Sequence, residues 1–158
     1  MLQGFFIDLF EINEKMNYLT SIKDHPVFND FILLVARLFV GFAMITHGFP
    51  KLMRLVEEEE IQFFNFLGLG PEFSLGLCVF VEFVCSIFII LGLFTRWALF
   101  FLIGLTAVIA FGVHAGDPFR EKEMALLYLC VYVLLMAFGP GKFSVDGMIS
   151  KKKAASGW

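Results

Sequence analysis

Six charged or titratable side chains lie within or beside the most apolar stretches of this 158-residue sequence. If those stretches cross a membrane, a charge at the bilayer centre costs about 3 kcal/mol on insertion scales, so such residues usually face a protein interior or a cavity. Intramembrane charge is therefore a first indication of a functional site. The six residues are Arg37, His47, Lys51, Glu82, His114 and Glu123.

Arg37 and Glu82 each occupy the middle of an apolar stretch. Arg37 lies nine residues after Phe28, and Glu82 lies twelve residues before Phe94. At about 1.5 Å per residue, both side chains are expected near the bilayer midplane, where they would form an ion pair. Such a pair either fixes the register of two helices or takes part in chemistry, and register is the preferred interpretation.

The remaining four residues are expected to converge at the outer mouth of a helix bundle. His47 and Lys51 are one turn apart on one helix face, His114 ends the third apolar stretch, and Glu123 begins the fourth. Two interpretations stay open. The residues form a polar pocket, or they only anchor helix ends, with Lys51 extending its ammonium group to the interface.

A quinone headgroup is the ligand that such a pocket would suit. Histidine exchanges protons near neutral pH, Tyr128 and Tyr132 lie further along the fourth stretch, and phenylalanines could wall the ring. The sequence gives no metal signal, because His47, His114 and Glu123 belong to no H-x-x-x-H or E-x-x-H element. It also contains no haem motif and no dinucleotide fingerprint.

Composition indicates an integral membrane protein. Hydrophobic residues make up 59% of the chain and charged residues 17%, with 22 Phe and a mean hydropathy of +0.82. Soluble domains are about half apolar and a quarter charged, and disordered chains are less apolar still. A net charge of −3 and a basic run confined to the tail argue against nucleic-acid binding. The three cysteines have neither a disulfide nor a zinc spacing.

We predict an all-α membrane protein, a bundle of four transmembrane helices with an outer interfacial helix or loop and an N-terminal amphipathic helix. The predicted segments are an N-terminal cytoplasmic or interfacial segment 1–27, a transmembrane domain 28–141 with spans at about 28–49, 73–94, 97–114 and 119–138, and a cytoplasmic tail 142–158. The outer helix would come from residues 50–72. The N-terminal helix rests on the spacing of Phe5, Leu9, Ile12 and Met16.

Helical stripes of small residues predict which faces point inward, because small residues let helices approach closely. The stripes are Arg37 with Gly41, Met44 and Gly48; Glu82 with Cys78, Cys85 and Ser86; and His114 with Gly104, Ala107 and Ala110.

Basic residues predict the orientation. With four spans, seven basic residues fall on the side of both termini and four on the other side, so the positive-inside rule places both termini in the cytoplasm.

A glycine-proline motif after the fourth span predicts how the chain ends. Residues Gly139, Pro140 and Gly141 would break the fourth helix, which Asp117 and Pro118 would begin. Ser144 would cap a short tail helix. Arg96, in the turn between the second and third spans, is expected to contact Asp146 and tie this turn to the tail.

Several sequence blocks, taken in order, resemble the DoxX family of small four-helix membrane proteins. They are Ala36-Arg37-Leu38-Phe39-Val40-Gly41 with His47-Gly48 and Lys51, then Val81-Glu82-Phe83 with Leu91-Gly92-Leu93-Phe94-Thr95-Arg96, then Gly139-Pro140-Gly141-Lys142-Phe143-Ser144-Val145-Asp146. Cys85-Ser86 stands where the family often has glycines. The resemblance implies a multi-pass protein of a bacterial-type plasma (inner) membrane, and relatives include a subunit of thiosulfate:quinone oxidoreductase.

The favoured function is therefore a quinone-linked redox subunit that binds a quinone or small substrate and receives electrons from a soluble or membrane partner protein or directly from a substrate. Two alternatives stay open. One is a non-catalytic membrane scaffold that recruits a partner enzyme, and the other is a transporter of a small or lipid-like solute. A homo-oligomer is compatible with each of them.

Overall fold

The computed structural model describes residues 26–58 and 60–156, and this part of the chain is α-helical without β-strands. The all-α fold predicted from the sequence is confirmed. The predicted N-terminal amphipathic helix lies outside the described residues.

Four long helices run antiparallel to their neighbours along the chain, and a shorter fifth follows them. They are α1 (Pro26–Glu57), α2 (Pro71–Leu91), α3 (Thr95–Val113), α4 (Phe119–Phe138) and α5 (Val145–Ala155). We call the end of the bundle with the α2–α3 turn and residues 139–156 the tail end. The loop end carries the connection 58–70 and the turn 114–118.

Three of the described helices are long and apolar enough to cross a membrane, namely α1, α2 and α3. Helix α4 has 20 residues, a length of about 30 Å. Its first turns are charged, with Arg120, Glu121, Lys122 and Glu123 in sequence. The apolar part of α4 therefore begins at Met124, and this part packs along α3 in the bundle.

Helix α1 is longer than predicted. It continues through Pro50 to Glu57 and so includes Leu52, Leu55 and Val56, which were expected in a separate outer helix. Proline is tolerated within membrane helices because neighbouring groups satisfy the freed backbone. Of the two alternatives predicted for the outer connection, a helix or a loop, the structure has the loop: in the described part of residues 58–70 the only helical segment is a single 3₁₀ turn, Phe66–Gly68.

Two of the helices contain a π turn, at Phe80–Val84 in α2 and at Ile109–Val113 in α3. A π turn inserts about one residue into an α-helix, which rotates the following side chains by about 100°. A stripe of residues that is predicted with a constant helical period therefore no longer lies on one face of the helix when it crosses such a turn.

Helices α1 and α2 pack closely along glycines, as the α1 stripe predicts. Arg37, Gly41, Met44 and Gly48 are all buried. A Cβ atom on Gly48 would stand 2.8 Å from the Phe83 nitrogen and 2.9 Å from the Glu82 carbonyl carbon. Close contact of the backbones at this point fixes the height of Glu82 relative to α1. The lipid side of the bundle, by contrast, is lined with exposed phenylalanines such as Phe39.

Replacing Gly48 with alanine should destabilise the bundle, because the added methyl group meets α2 backbone that cannot rotate away. We expect Gly48→Ala to lower the free energy of unfolding by about 1–3 kcal/mol, the usual cost of overpacking. Gly104→Ala is the matched control, since a Cβ atom there meets nothing within 4 Å. It should be neutral or slightly stabilising. Equal stability of the two variants in detergent unfolding would contradict this account of the α1–α2 seam.

Candidate functional site

A buried ion pair joins α1 to α2. The Lys51 ammonium group donates to the Glu82 carboxylate through Oε1. The Glu82 side chain is only 3% exposed, whereas that of Lys51 is 27% exposed. Lys51 thus carries the accessible side of the pair, and Glu82 lies in the packed interior.

Two backbone features hold Glu82 in this position. It is the central residue of the π turn Phe80–Val84, and π turns occur frequently at functional sites. Gly48, less than one turn before Lys51, lets α1 approach the Glu82 backbone. The ammonium group of Lys51 therefore reaches the carboxylate from the neighbouring turn of α1.

Helix α4 brings two tyrosines to the same region. The Tyr132 side chain is fully buried and belongs to the same core cluster as Val81 and Cys85, which flank Glu82 on α2. Its ring is stacked on that of Tyr128 with centroids 6.0 Å apart. Tyr128 in turn meets the exposed His47 ring edge-on at 5.9 Å. An aromatic series therefore runs from the accessible face of α1 into the core of the bundle.

Three buried polar atoms on α2 and α4 have no hydrogen-bond partner in the described part of the chain. They are Glu82 Oε2, Ser86 Oγ and Tyr132 Oη. Buried polar groups in native proteins are nearly always hydrogen-bonded to protein or to ordered water. We define Lys51, Glu82, Ser86, Tyr128 and Tyr132, with His47 at the edge, as the polar site. Its unsatisfied atoms can bind a polar molecule or water.

The predicted Arg37–Glu82 ion pair is wrong, because Glu82 pairs with Lys51. The depth estimate assumed that the two apolar stretches end at the same level. Arg37 instead lies beside Ile89 and Gly92 at the C-terminal end of α2, so the first turns of α1 extend beyond α2. Glu82 therefore lies level with Gly48 and Lys51, not with Arg37.

Arg37 belongs to a separate cluster at the tail end. Its guanidinium group donates to the carbonyl oxygens of Ile89, at 3.4 Å, and of Phe143. A Cβ atom on Gly92 would stand 2.0 Å from Arg37 Nη1, so the absence of a side chain there makes room for the guanidinium. Arg37, although fully buried, thus joins α1 to α2 and to the segment after α4.

The predicted contact between Arg96 and Asp146 is also wrong, although the α2–α3 turn is tied to the tail. The Asp146 carboxylate accepts hydrogen bonds from the backbone N–H groups of Phe94, at 3.0 Å, and Thr95, at 2.9 Å. Arg96 is exposed. A carboxylate can accept hydrogen bonds from free N–H groups at a helix start, and it can equally pair with an arginine. The sequence does not distinguish these two partners of Asp146.

Other predictions about the tail are confirmed. Helix α4 ends at Phe138 and is followed by Gly139, whose φ of 81° suits glycine. Ser144 caps α5 by accepting a hydrogen bond from the Gly147 N–H at 3.0 Å. The sequence did not indicate a role for Asp30 at this end. Its carboxylate accepts a hydrogen bond from the Lys142 backbone N–H at 3.0 Å and pairs with the Lys142 ammonium group at 3.3 Å.

Besides Arg37, two more of the six candidate residues lie apart from the polar site. His114 Nδ1 is 2.8 Å from Asp117 Oδ2 in the α3–α4 turn, so Asp117 does not cap α4. The predicted inward stripe of α3 is wrong at Gly104, which is exposed, and His114, after the π turn Ile109–Val113, is half-buried. Glu123 is also exposed, on the first turns of α4.

Cysteines and metal ligands add no further cluster to the described residues. Cys78, Cys85 and Cys130 are unpaired. Within residues 26–58 and 60–156, no three His, Cys, Asp or Glu side chains are grouped as metal ligands.

These features define a class of protein, a small multi-pass helical membrane protein with a buried polar site between its helices. The DoxX family model matches residues 32–115, more than half of the chain. The chain belongs to the DoxX family.

Relatives agree with this assignment. The chain is 30% identical to the inner membrane protein YqjF of Escherichia coli (strain K12), over 76% of this chain and 93% of the relative. It is also 30% identical to the inner membrane protein YphA of the same organism, over 73% and 88%, and to an uncharacterized protein of Haemophilus influenzae, over 79% and 96%. A comparison with solved structures finds no significant match. The protein is therefore an integral inner-membrane protein.

Removing one partner of the Lys51–Glu82 pair should be more damaging than removing both. Lys51→Met leaves the Glu82 carboxylate uncompensated in the interior, which costs about 3–5 kcal/mol of unfolding free energy. Adding Glu82→Gln should restore most of this stability. Equilibrium unfolding in mixed micelles measures both variants.

The exposed Arg54–Glu58 pair, with Nε and Oε1 3.1 Å apart, is the control for this cycle. Arg54→Met should cost no more than about 1 kcal/mol. If Lys51→Met has an equally small effect, the interior position of Glu82 is refuted.

The link between Asp146 and the α2–α3 turn also gives a stability prediction. Asp146→Ala removes the acceptor for two backbone N–H groups, and we expect a loss of about 1–3 kcal/mol. Arg96→Ala should change the unfolding free energy by less than about 0.5 kcal/mol, as usual for surface substitutions. If Arg96→Ala instead lowers the thermal stability more than Asp146→Ala does, Arg96 is the partner of Asp146 after all.

Proposed function

We propose that this protein is a quinone-binding redox subunit of the inner membrane and that the polar site holds the quinone headgroup. The observation that carries the proposal is the pair of unsatisfied buried atoms, Glu82 Oε2 and Tyr132 Oη, beside a buried ion pair. Together they offer a hydrogen-bond acceptor and a donor inside an apolar bundle.

The chemistry of these groups fits a quinone. Its two carbonyl oxygens accept hydrogen bonds, and the reduced form donates two. Tyr132 Oη can donate to an oxygen, and so can the ammonium group of Lys51. Glu82 Oε2 can accept from a hydroxyl group. A bound quinone would supply two-electron, two-proton redox chemistry at this position.

Residues of the site can also move protons. Glu82 can hold a proton at Oε2, since Oε1 is occupied by Lys51. His47 is exposed and can accept or donate a proton at a ring nitrogen. The Tyr128 and Tyr132 rings, stacked on each other next to His47, form an apolar wall on this side of the site.

An apolar ligand would reach the site from the lipid. Phe49 follows Gly48 on α1, is 51% exposed, and meets the Phe83 ring at 6.4 Å between centroids. These two rings lie at the α1–α2 seam, next to the backbone that carries Glu82. They offer an apolar surface for the tail of a membrane quinone.

Orientation and electron supply complete the proposal. The tail end faces the cytoplasm, supported by the excess of lysines and arginines on that side, and the polar site then opens toward the outer face. A soluble or membrane partner protein delivers or accepts the electrons.

Tyr132→Phe tests the proposal, because it removes one hydroxyl group and keeps the ring. We expect wild-type protein purified in mild detergent to retain quinone, detected by mass spectrometry of the extracted lipids. Tyr132→Phe should weaken the binding of a short-chain quinone about 5- to 10-fold, the value of one buried hydrogen bond. Glu82→Gln should weaken binding of the reduced form more than that of the oxidised form.

Thr46→Val is the matched control, since its hydroxyl bonds within α1 to the Ala43 carbonyl at 2.7 Å and is exposed. It should leave quinone binding unchanged. Wild-type protein that neither retains quinone nor binds the short-chain analogue would refute the proposal.

A further inference from the structure

Helix α5 combines exposed apolar side chains with the one run of three lysines in the chain. Met148 is 62% exposed and Ile149 46% exposed. Lys151, Lys152 and Lys153 follow directly, and all three are exposed. In the part of the chain that the structure describes, none of these lysines pairs with an acidic side chain. Among the described residues, none covers this helix from Met148 onward or neutralises its lysines.

The two kinds of residue share one side of α5. At about 100° per residue, Val145, Met148 and Ile149 fall within an arc of about 100°. Lys151 and Lys153 flank this arc on either side, and Lys152 lies within it, one turn beyond Met148. Gly147, Ser150 and Ala154 occupy the opposite side. Lysines beside an apolar face can place their stems along it and their ammonium groups in a polar layer.

The start of α5 is held at the end of the bundle. Ser144 caps it, and the Asp146 N–H donates to the Gly92 carbonyl at 2.9 Å. Exposed aromatic rings surround the same level, namely Phe94, Trp97 and Phe143. Exposed tryptophan in a membrane protein typically marks the interface between hydrocarbon and headgroups. The apolar arc of α5 therefore begins at headgroup depth.

The positive charge of α5 indicates which kind of molecule binds to this surface. The Asp146 carboxylate accepts from two backbone N–H groups, so it is not available to the lysines. A second copy of the chain would bring the same positive charge to the contact and repel it. Anionic phospholipid headgroups match both the charge and the depth, and each lysine near such a surface contributes substantially to binding.

We propose that α5 is an anionic-lipid-binding helix, with its apolar arc in the interface and Lys151–Lys153 bound to lipid phosphates. This inference is independent of the quinone proposal, because it involves the opposite end of the bundle. The ligand class is an anionic phospholipid in the leaflet next to the tail end.

Hydrogen exchange of the full-length protein in lipid nanodiscs tests the proposal. Backbone amides of residues 145–155 should exchange about tenfold more slowly in nanodiscs that contain phosphatidylglycerol than in pure phosphatidylcholine. High salt should remove most of this difference, since it screens exposed charges. Equal exchange in the two lipids would overturn the proposal.

Three variants separate charge from folding. Lys151→Gln with Lys152→Gln and Lys153→Gln should abolish the difference between lipids, whereas the three Lys→Arg changes should keep it. Met148→Ser with Ile149→Ser should raise exchange in both lipids. The amides of Phe94 and Thr95, bound to Asp146, report on an intact fold in every variant. Protection that depends on two copies per nanodisc, irrespective of lipid, would identify a second chain as the occupant and refute lipid binding.

Discussion

Charged side chains cannot remain unpaired in hydrocarbon, and this constraint organises the whole bundle. Two charged side chains are buried in residues 26–58 and 60–156, and each is neutralised or hydrogen-bonded by another segment. Glu82 is paired with Lys51 of α1, and Arg37 is bound to carbonyl groups of α2 and of the segment after α4. Since lipid provides little hydrophobic force between helices, these polar contacts and the close packing at Gly48 fix which helices meet and at what height.

The two buried charges differ in the kind of partner that each has. At the tail end, Arg37 donates to two backbone carbonyl groups, although its Nε has no hydrogen-bond partner among the described residues. At the polar site, the carboxylate of Glu82 keeps one free oxygen, and the hydroxyl of Tyr132 is free as well. An unsatisfied buried group costs stability. Both clusters therefore keep buried polar atoms whose hydrogen bonds the described residues do not supply.

Much of the architecture could be predicted from the sequence, because apolar length, glycine breaks and capping residues act locally. The helical class, the end of α4 at Gly139 and the cap at Ser144 follow from such local rules. The inward stripe of α1 was also predictable, because α1 has no π turn. The partners of Arg37 and Glu82 were not, since pairing depends on the relative height of two helices.

Two features that the sequence does not reveal set that height and the phase of the side chains. The first turns of α1 extend beyond the end of α2, and α1 continues through Pro50 to Glu57, past the predicted end at residue 49. The π turn at Ile109–Val113 rotates His114 away from the face that its spacing indicates. Neither a tolerated proline nor an inserted residue has a reliable signature in a single sequence. Tyr132 was visible as a polar residue one turn from Tyr128, but only the structure shows that it is buried in the core with Val81 and Cys85.

The hydrogen bond from Arg37 to the Phe143 carbonyl group has a consequence for biosynthesis. Arg37 enters the membrane with the first helix, yet Phe143 follows the last long helix by five residues. During translation, the ribosome must therefore add more than a hundred residues before this guanidinium group can meet its final acceptor. Until then, the nascent chain carries an incompletely satisfied cation, which only water, headgroups or the insertion machinery can solvate. Maturation of the bundle thus ends with its carboxyl-terminal segment.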